Sequence, residues 1–221
     1  MFRKNTVKIE RFIKVLNNTE LGLGNTKETY IHIRKEIDID FMFIGYSDQF
    51  KSKTDSTESY PLKLTKNREI RIVGLGTYYR KYGLEGGDVI ILERVEDNGK
   101  TSFFISHVKK VDTITLSKVG NKGFEILTKN STIEKHKLSS VCKYNGVKYS
   151  FDLKFDTSGK KRIDSPDITD FYSLELKSLE DNSVLSLLQE VVDGEMLEII
   201  KVESDYYLSE IKSSFKQEIE L

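Results

Sequence analysis

The sequence predicts a mainly β protein with short helices: a barrel-like β domain, then a smaller α+β segment. Three observations carry that expectation. Short runs rich in Val, Ile, Phe and Tyr alternate with polar residues through the first two thirds of the chain. Asn98-Gly99 stands between two such runs, and both residue types accept the positive φ of a tight hairpin turn. The first half offers a single helix candidate, "TYYRKY", closed by Gly83 as a C-terminal cap.

Taken in order, "VKIERFIKVL" (7–16) and "TYIHIRK" (29–35) mix β-branched or aromatic residues with charges and read as strands. "DFMFIGY" (40–46) is a short run that looks buried. "YPLKLT" and "EIRIVG" alternate around the turn-like "KNR", and "DVIILERV" and "TSFFIS" flank the Asn98-Gly99 turn. After Lys110 come "DTITLSK", "GFEILTK", "KLSSVCKY" and "VKYSFDLKF", all strand-like. The polar stretch 156–167 reads as a loop or linker. Residues 181–194 read as a capped amphipathic helix with Val184, Leu187, Leu188 and Val191 on one face. "MLEIIKV" is a strand, and the last seventeen residues suit strand, helix or both.

At 221 residues and 38% hydrophobic, the chain can bury a core in one large domain or two small ones. No run of apolar residues is long enough to span a membrane, and the charged start lacks the apolar region of a secretory signal. One cysteine, Cys142, excludes an intrachain disulfide and suits a reducing cytoplasm. His32, His107 and His136 are scattered and have no cysteine cluster beside them, so neither a metal nor a cofactor is expected.

Zero net charge conceals an asymmetry. Residues 1–110 hold 20 Lys+Arg against 15 Asp+Glu, residues 111–165 hold 11 against 6, and residues 166–221 hold 4 against 14. This divides the chain into a β domain (1–110), a basic strand-rich extension (111–165) and an acidic α+β segment (166–221) that would lead into a further domain. A basic body joined to an acidic end suits polyanion binding.

Two catalytic motifs are weighed. A phosphate-binding loop fails at Gly159-Lys160-Lys161, because Lys154 stands where its first glycine belongs. Pro166-Asp167 followed by Glu175-x-Lys177 has the residue types of a Mg²⁺-dependent nuclease, in which two carboxylates hold the metal and a lysine assists water. Seven residues between the acids leave little room for two strands and a turn. That nuclease stays as an alternative, as does a β-rich protein-interaction module with an acidic docking end.

Two polar stretches are better candidates for contact with another molecule. In "NNTELGLGNTKE" (17–28), Asn17, Asn18, Thr19, Asn25, Thr26 and Lys27 supply donors and acceptors between two strands. In "LKLTKNREIRI" (62–72), inward Leu62, Leu64, Ile70 and Ile72 would leave Lys63, Thr65, Glu69 and Arg71 on the outer face, with Lys66, Asn67 and Arg68 in the turn. Lys and Arg suit phosphates. Arg can take guanine, Asn adenine, and Glu the amino group of cytosine.

In this order the pieces resemble the B-three-type DNA-binding pseudobarrel, found in plant transcription factors and in effector or specificity domains of restriction endonucleases of the EcoRII and BfiI type. The polar arm between two strands resembles that family's first arm. "REIRIVGLGTYYRKYGLEGGDVIILERV" resembles its strand, short helix and Gly-Leu-x-x-Gly-Asp turn into an apolar strand. The chain departs from plant members in having no tryptophan. The resemblance, over roughly residues 7–107, implies a seven-stranded open pseudobarrel whose two arms read the major groove of double-stranded DNA. The arms would be Asn17 to Lys27 and Lys63 to Arg71. It implies no catalysis by this chain. It also implies a fused or associated nuclease or motor of a restriction system, and the chain resembles the N-terminal DNA-binding domain of a McrB-like subunit of the LlaJI type, without its nucleotide-binding part.

Overall fold

A computed structural model describes residues 6–24, 27–134, 137–163, 167–192 and 195–221. The chain is mainly β and divides into two compact units. The first contains residues up to 84, 88–109 and 214–221, and the second contains 85–87 and 110–213.

The first unit begins with β1 (Val7–Val15) and β2 (Tyr30–Ile33). The run from Asp40 then makes a 3-10 turn, Asp40–Met42, which buries Met42 and Phe43. Next come β3 (Ser47–Ser52), β4 (Ser59–Lys66) and β5 (Ile70–Val73). Helix α1 (Gly76–Tyr82) ends at Gly83, whose φ of 55° is left-handed, and whose N–H donates to the carbonyls of Arg80 and Tyr79. The Lys109 ammonium donates to the Tyr82 and Gly83 carbonyls at 3.3 and 2.9 Å, placing a cation at the negative end of the helix. β6 (Val89–Asp97) and β7 (Lys100–Val108) are joined by Asn98-Gly99 with φ of 50° and 76°, the expected two-residue turn.

β3 is absent from the sequence expectation. Its "SDQFKS" has one aromatic, yet Phe50 is fully buried and packs on Phe43 and Phe103 at ring-centre distances of 5.5 and 5.2 Å. The core gathers Phe12, Ile31, Ile33, Leu62, Ile72, Tyr78, Ile90, Leu92 and Ile105. Alternation along β4 buries Tyr60, Leu62 and Leu64 and leaves Ser59, Pro61 and Lys63 exposed.

The second unit contains β8 (Thr113–Lys118), β9 (Phe124–Ile126), β10 (Lys137–Tyr144), β11 (Val147–Lys160), β12 (Ile168–Ser178), β13 (Val184–Ser186), the single turn α2 (Leu187–Glu190), β14 (Glu195–Val202) and β15 (Asp205–Lys212). Its sheet runs β11-β10-β15-β14-β8-β9-β12-β13, and β11 also pairs with β12, so seven strands close on themselves with β13 outside the ring. β12 meets β9 only at Tyr172–Phe124, and the same side of β12 then takes β13 at Glu175–Lys177. Ile114, Leu116, Phe124, Phe151, Leu153, Leu174, Leu176 and Leu197 fill the core. Cys142 is buried, which pushes its thiol up to about 11.

Three expectations are corrected here. Part of the stretch 156–167, expected as a loop or linker, is strand: β11 continues through Lys160 and pairs with β12 from Tyr149–Ser178 to Lys160–Ile168, across a bulge at Phe155/Thr157, while 161–163 and 167 are turn or bend and 164–166 lie outside the described residues. Of the helix expected over 181–194, the described residues form a strand, Val184–Ser186, and one turn, Leu187–Glu190, and residues 193 and 194 lie outside the described residues. Leu187 and Val191 are buried as its pattern required, but Val184, Leu185 and Ser186 pair with the edge of β12, and that pairing overrides helix propensity. Finally, residues 111–165 and 166–213 are not separate segments, since their strands interleave in one sheet; the α+β subdomain is thus a β barrel.

The last strand, β16 (Ser214–Glu220), pairs antiparallel with β1 in the first unit. That unit's sheet runs β16-β1-β6-β7-β3-β4-β5-β2.

Candidate nucleic-acid interface

The first polar stretch leaves β1 and is anchored by one carboxylate. Glu20 is 1% exposed, and its Oε1 lies 3.1 Å from the equally buried Lys14 ammonium of β1. The same oxygen accepts the His32 N–H of β2 at 2.9 Å. Oε2 accepts the Asn17 N–H at 3.2 Å, while Asn17 Oδ1 accepts the Glu20 N–H at 3.0 Å. This reciprocal pair follows the capping-box pattern in which residues three apart satisfy each other's backbone donors. β1 and β2 do not pair with each other in the sheet, so Glu20 bridges them where no ladder does. Asn17, expected as a DNA contact, is committed here to the base of this stretch.

The second stretch is the β4–β5 hairpin. Leu62, Leu64 and Ile72 are buried and Ile70 packs against the core, as the alternation required. Thr65 lies opposite Arg71, and Lys63 opposite Val73. β5 also pairs with β2, placing His32 beside Arg71 and Tyr30 beside Val73. Lys63, Thr65, Arg71 and His32 therefore share the outer face of a three-stranded ribbon.

The Arg71 guanidinium ties the two stretches together. Its Nε and Nη2 donate to Glu69 Oε2 at 3.0 and 2.7 Å, Nη1 lies 3.6 Å from Glu28, and the group covers the Tyr30 ring at 4.2 Å. Its hydrogen bond to Glu69, ahead of the nearby charges, holds the guanidinium pKa above its ordinary value. Glu69 and Arg71, both expected to face DNA, bind each other in this structure. Lys66 pairs with Asp40. Lys27, Lys63 and Arg68 are exposed and form no ion pair among the described residues.

The register spreads these groups out. Ile70, at the hairpin end of β5, lies opposite Ile33, and Val73 opposite Tyr30. The hairpin tip, with Asn67 and Arg68, thus sits about 10 Å along the ladder from the point where the first stretch joins β2. β2 ends at Ile33, and the chain turns at once, with the Ile37 N–H donating to the Arg34 carbonyl and Arg34 lying 3.5 Å from Glu36. Asn18 and Thr19 are half-buried in the turn that follows Asn17. Asn25 and Thr26 lie outside the described residues.

Asp167 precedes β12, while Glu175 and Lys177 lie within it. Eight residues of nearly extended chain put the two carboxylates about 25 Å apart. They do not form one metal site. Pro166 and His136 lie outside the described residues. His107 is half-buried, stacks on Tyr82 and bonds to the Tyr78 hydroxyl at 2.8 Å. Burial, opposed by Asp88, lowers its pKa below 6.5.

No family model matches the chain, and no curated protein sequence does either. Among the described residues, no helix is long and apolar enough to cross a membrane.

Proposed function

We propose that the first unit is a site-specific double-stranded DNA-binding module, in which the β4–β5 hairpin and the stretch from Asn17 to Lys27 serve as two arms along the major groove. The observation that carries this reading is the β4–β5–β2 ribbon. Buried leucines and isoleucines fix its inner face, and Lys63, Arg68 and Lys27 remain uncommitted on the exposed side. Arg71, stacked on Tyr30 and held by Glu69 and Glu28, sets the arms relative to each other. The order of elements also supports the reading: seven consecutive strands, to whose sheet β16 adds an eighth, with a 3-10 turn after the second and one α-helix between the fifth and sixth.

In this mechanism Lys63 and Lys27 neutralise phosphates and set the register. Arg68, at the hairpin tip, reaches base edges, where a guanidinium can hold guanine O6 and N7 together. Asn67 beside it can take adenine. Cleavage or translocation, if coupled to recognition, would be the work of a nuclease or motor partner.

Titration of the protein onto random-sequence duplexes at several salt concentrations tests the electrostatic part. Log K should fall linearly with log salt, with a slope of about −0.9 per phosphate contacted. Absence of binding at low salt would refute the reading.

A further inference from the structure

β16 is the outer strand of the first unit's sheet, and among the described residues no strand pairs with its free side. Its ladder with β1 fixes which backbone groups face outward. The Val7 N–H donates to Leu221 O at 3.1 Å and the Leu221 N–H to Val7 O at 3.0 Å, so this pair exchanges both bonds. In the same register Ile219 faces Ile9, Gln217 faces Arg11 and Phe215 faces Ile13. Odd residues therefore turn their backbone groups toward β1. Lys216, Glu218 and Glu220, all exposed, turn theirs to the open side, and Ser214, which is buried, has the same phase.

We propose that this edge is a homodimer interface, with β16 of one protomer pairing antiparallel with β16 of a second copy about a two-fold axis through Gln217. Phase and charge select that register. An axis between two residues would set even against odd positions and leave the outward backbone groups misaligned. An axis through Lys216 or Glu218 would set a like charge against itself. An axis through Gln217 sets Lys216 opposite the partner copy's glutamate at the same position as Glu218, twice over. It also sets Phe215 opposite the residue equivalent to Ile219, and Ser214 opposite that equivalent to Glu220.

The side chains suit such a seam. Phe215 is 39% exposed and continues an outer row with Ile13 and Ile91. Ile219 continues the adjacent row with Ile9 and Val95. Pairing would extend both apolar rows across the axis into the second copy. On the other face, Lys216 is held by Glu10 at 3.2 Å and lies 4.1 Å from the centre of the Phe41 ring. Its ammonium also lies 2.5 Å from Glu218 of its own strand, so across the axis four charges alternate in sign. Protective edges carry like charge or proline, whereas this one is complementary to itself. The occupant is therefore a second copy of this chain, a contact of the isologous kind.

Sedimentation velocity of the full chain from about 1 to 100 μM tests the proposal, with circular dichroism to confirm folding. A concentration-dependent dimer is expected. Glu218→Pro should abolish it and leave the protomer folded, because the N–H it removes faces outward and makes no bond to β1. Lys216→Glu and Glu218→Lys should each weaken self-association about tenfold, by turning two attractive cross-strand pairs repulsive. An equimolar mixture of those two variants should recover a heterodimer, since an all-acidic edge then meets an all-basic one. A monomer throughout the concentration range would overturn the proposal. So would a dimer indifferent to Glu218→Pro in folded protein, or charge variants that fail to associate when mixed. If Glu218→Pro fails to fold, the mixing experiment decides alone.

Discussion

Replacing Glu20 by Leu should destabilise the first unit more than any other single change in the arm region. The substitution leaves the Lys14 ammonium, in a side chain 5% exposed, without its carboxylate, a loss that costs about 3–5 kcal/mol at buried pairs. It also strips acceptors from the N–H groups of Asn17 and His32, each worth about 1 kcal/mol. Lys14→Met should cost less, because Glu20 would keep both backbone donors. The double variant Lys14→Met/Glu20→Leu should recover part of the loss, giving a coupling of about 1.5 kcal/mol or more. Urea denaturation of the four proteins measures these differences, and amide exchange at Tyr30 and His32 localises them. In exchange, those two amides should open before the rest of β2's neighbours on β5. A cost below about 1 kcal/mol for Glu20→Leu, with no recovery in the double variant, would refute the idea that this carboxylate bridges β1 and β2.

Three further outcomes follow from the same geometry. His107 has a folded-state pKa below 6.5, so the unfolded chain binds more protons as pH falls; stability should be full above about 6.5 and decline toward the lower folded pKa. His107→Gln should flatten the stability profile of the first unit in that window, as followed by urea denaturation from pH 7.5 to 5. Deleting residues 214–221 should lower the melting temperature of the first unit, because β16 belongs to its sheet; scanning calorimetry reads this directly. For DNA, Arg68→Ala should cost about 1–3 kcal/mol and relax preference at one base pair, while Lys63→Ala should weaken all duplexes alike and lower the salt slope by about one unit, both measured by fluorescence anisotropy.

The mainly β class was legible because its signals are local. Alternation along β4, the Asn98-Gly99 turn and the Gly83 cap each need only neighbouring residues. What escaped depends on pairing across distance. β3 carries a single large apolar side chain and is a strand because β4 and β7 flank it. Residues 184–186 present a helical pattern, yet pair with β12. The return of Ser214–Glu220 to β1, after the whole second barrel, has no local signature at all.

The candidate site divides in the same way. The outward placement of Lys63, Thr65 and Arg71 followed from periodicity. The ion pairs and ring contact of the hairpin did not: Asp40 holds Lys66, and Glu28 and Tyr30 hold Arg71 across strands brought together by the fold. One signal was available and unused. Asn17-x-x-Glu20 has the spacing of a capping box, which marks Asn17 as a structural residue.

Selection from a pool of randomised duplexes tests the central claim most directly, with the wild-type protein and Arg68→Ala run in parallel and the bound fraction sequenced. The account predicts enrichment of one short motif by the wild type, and loss of preference at one position of that motif for Arg68→Ala. Bound duplexes with no shared motif, or an identical motif from folded Arg68→Ala, would contradict it.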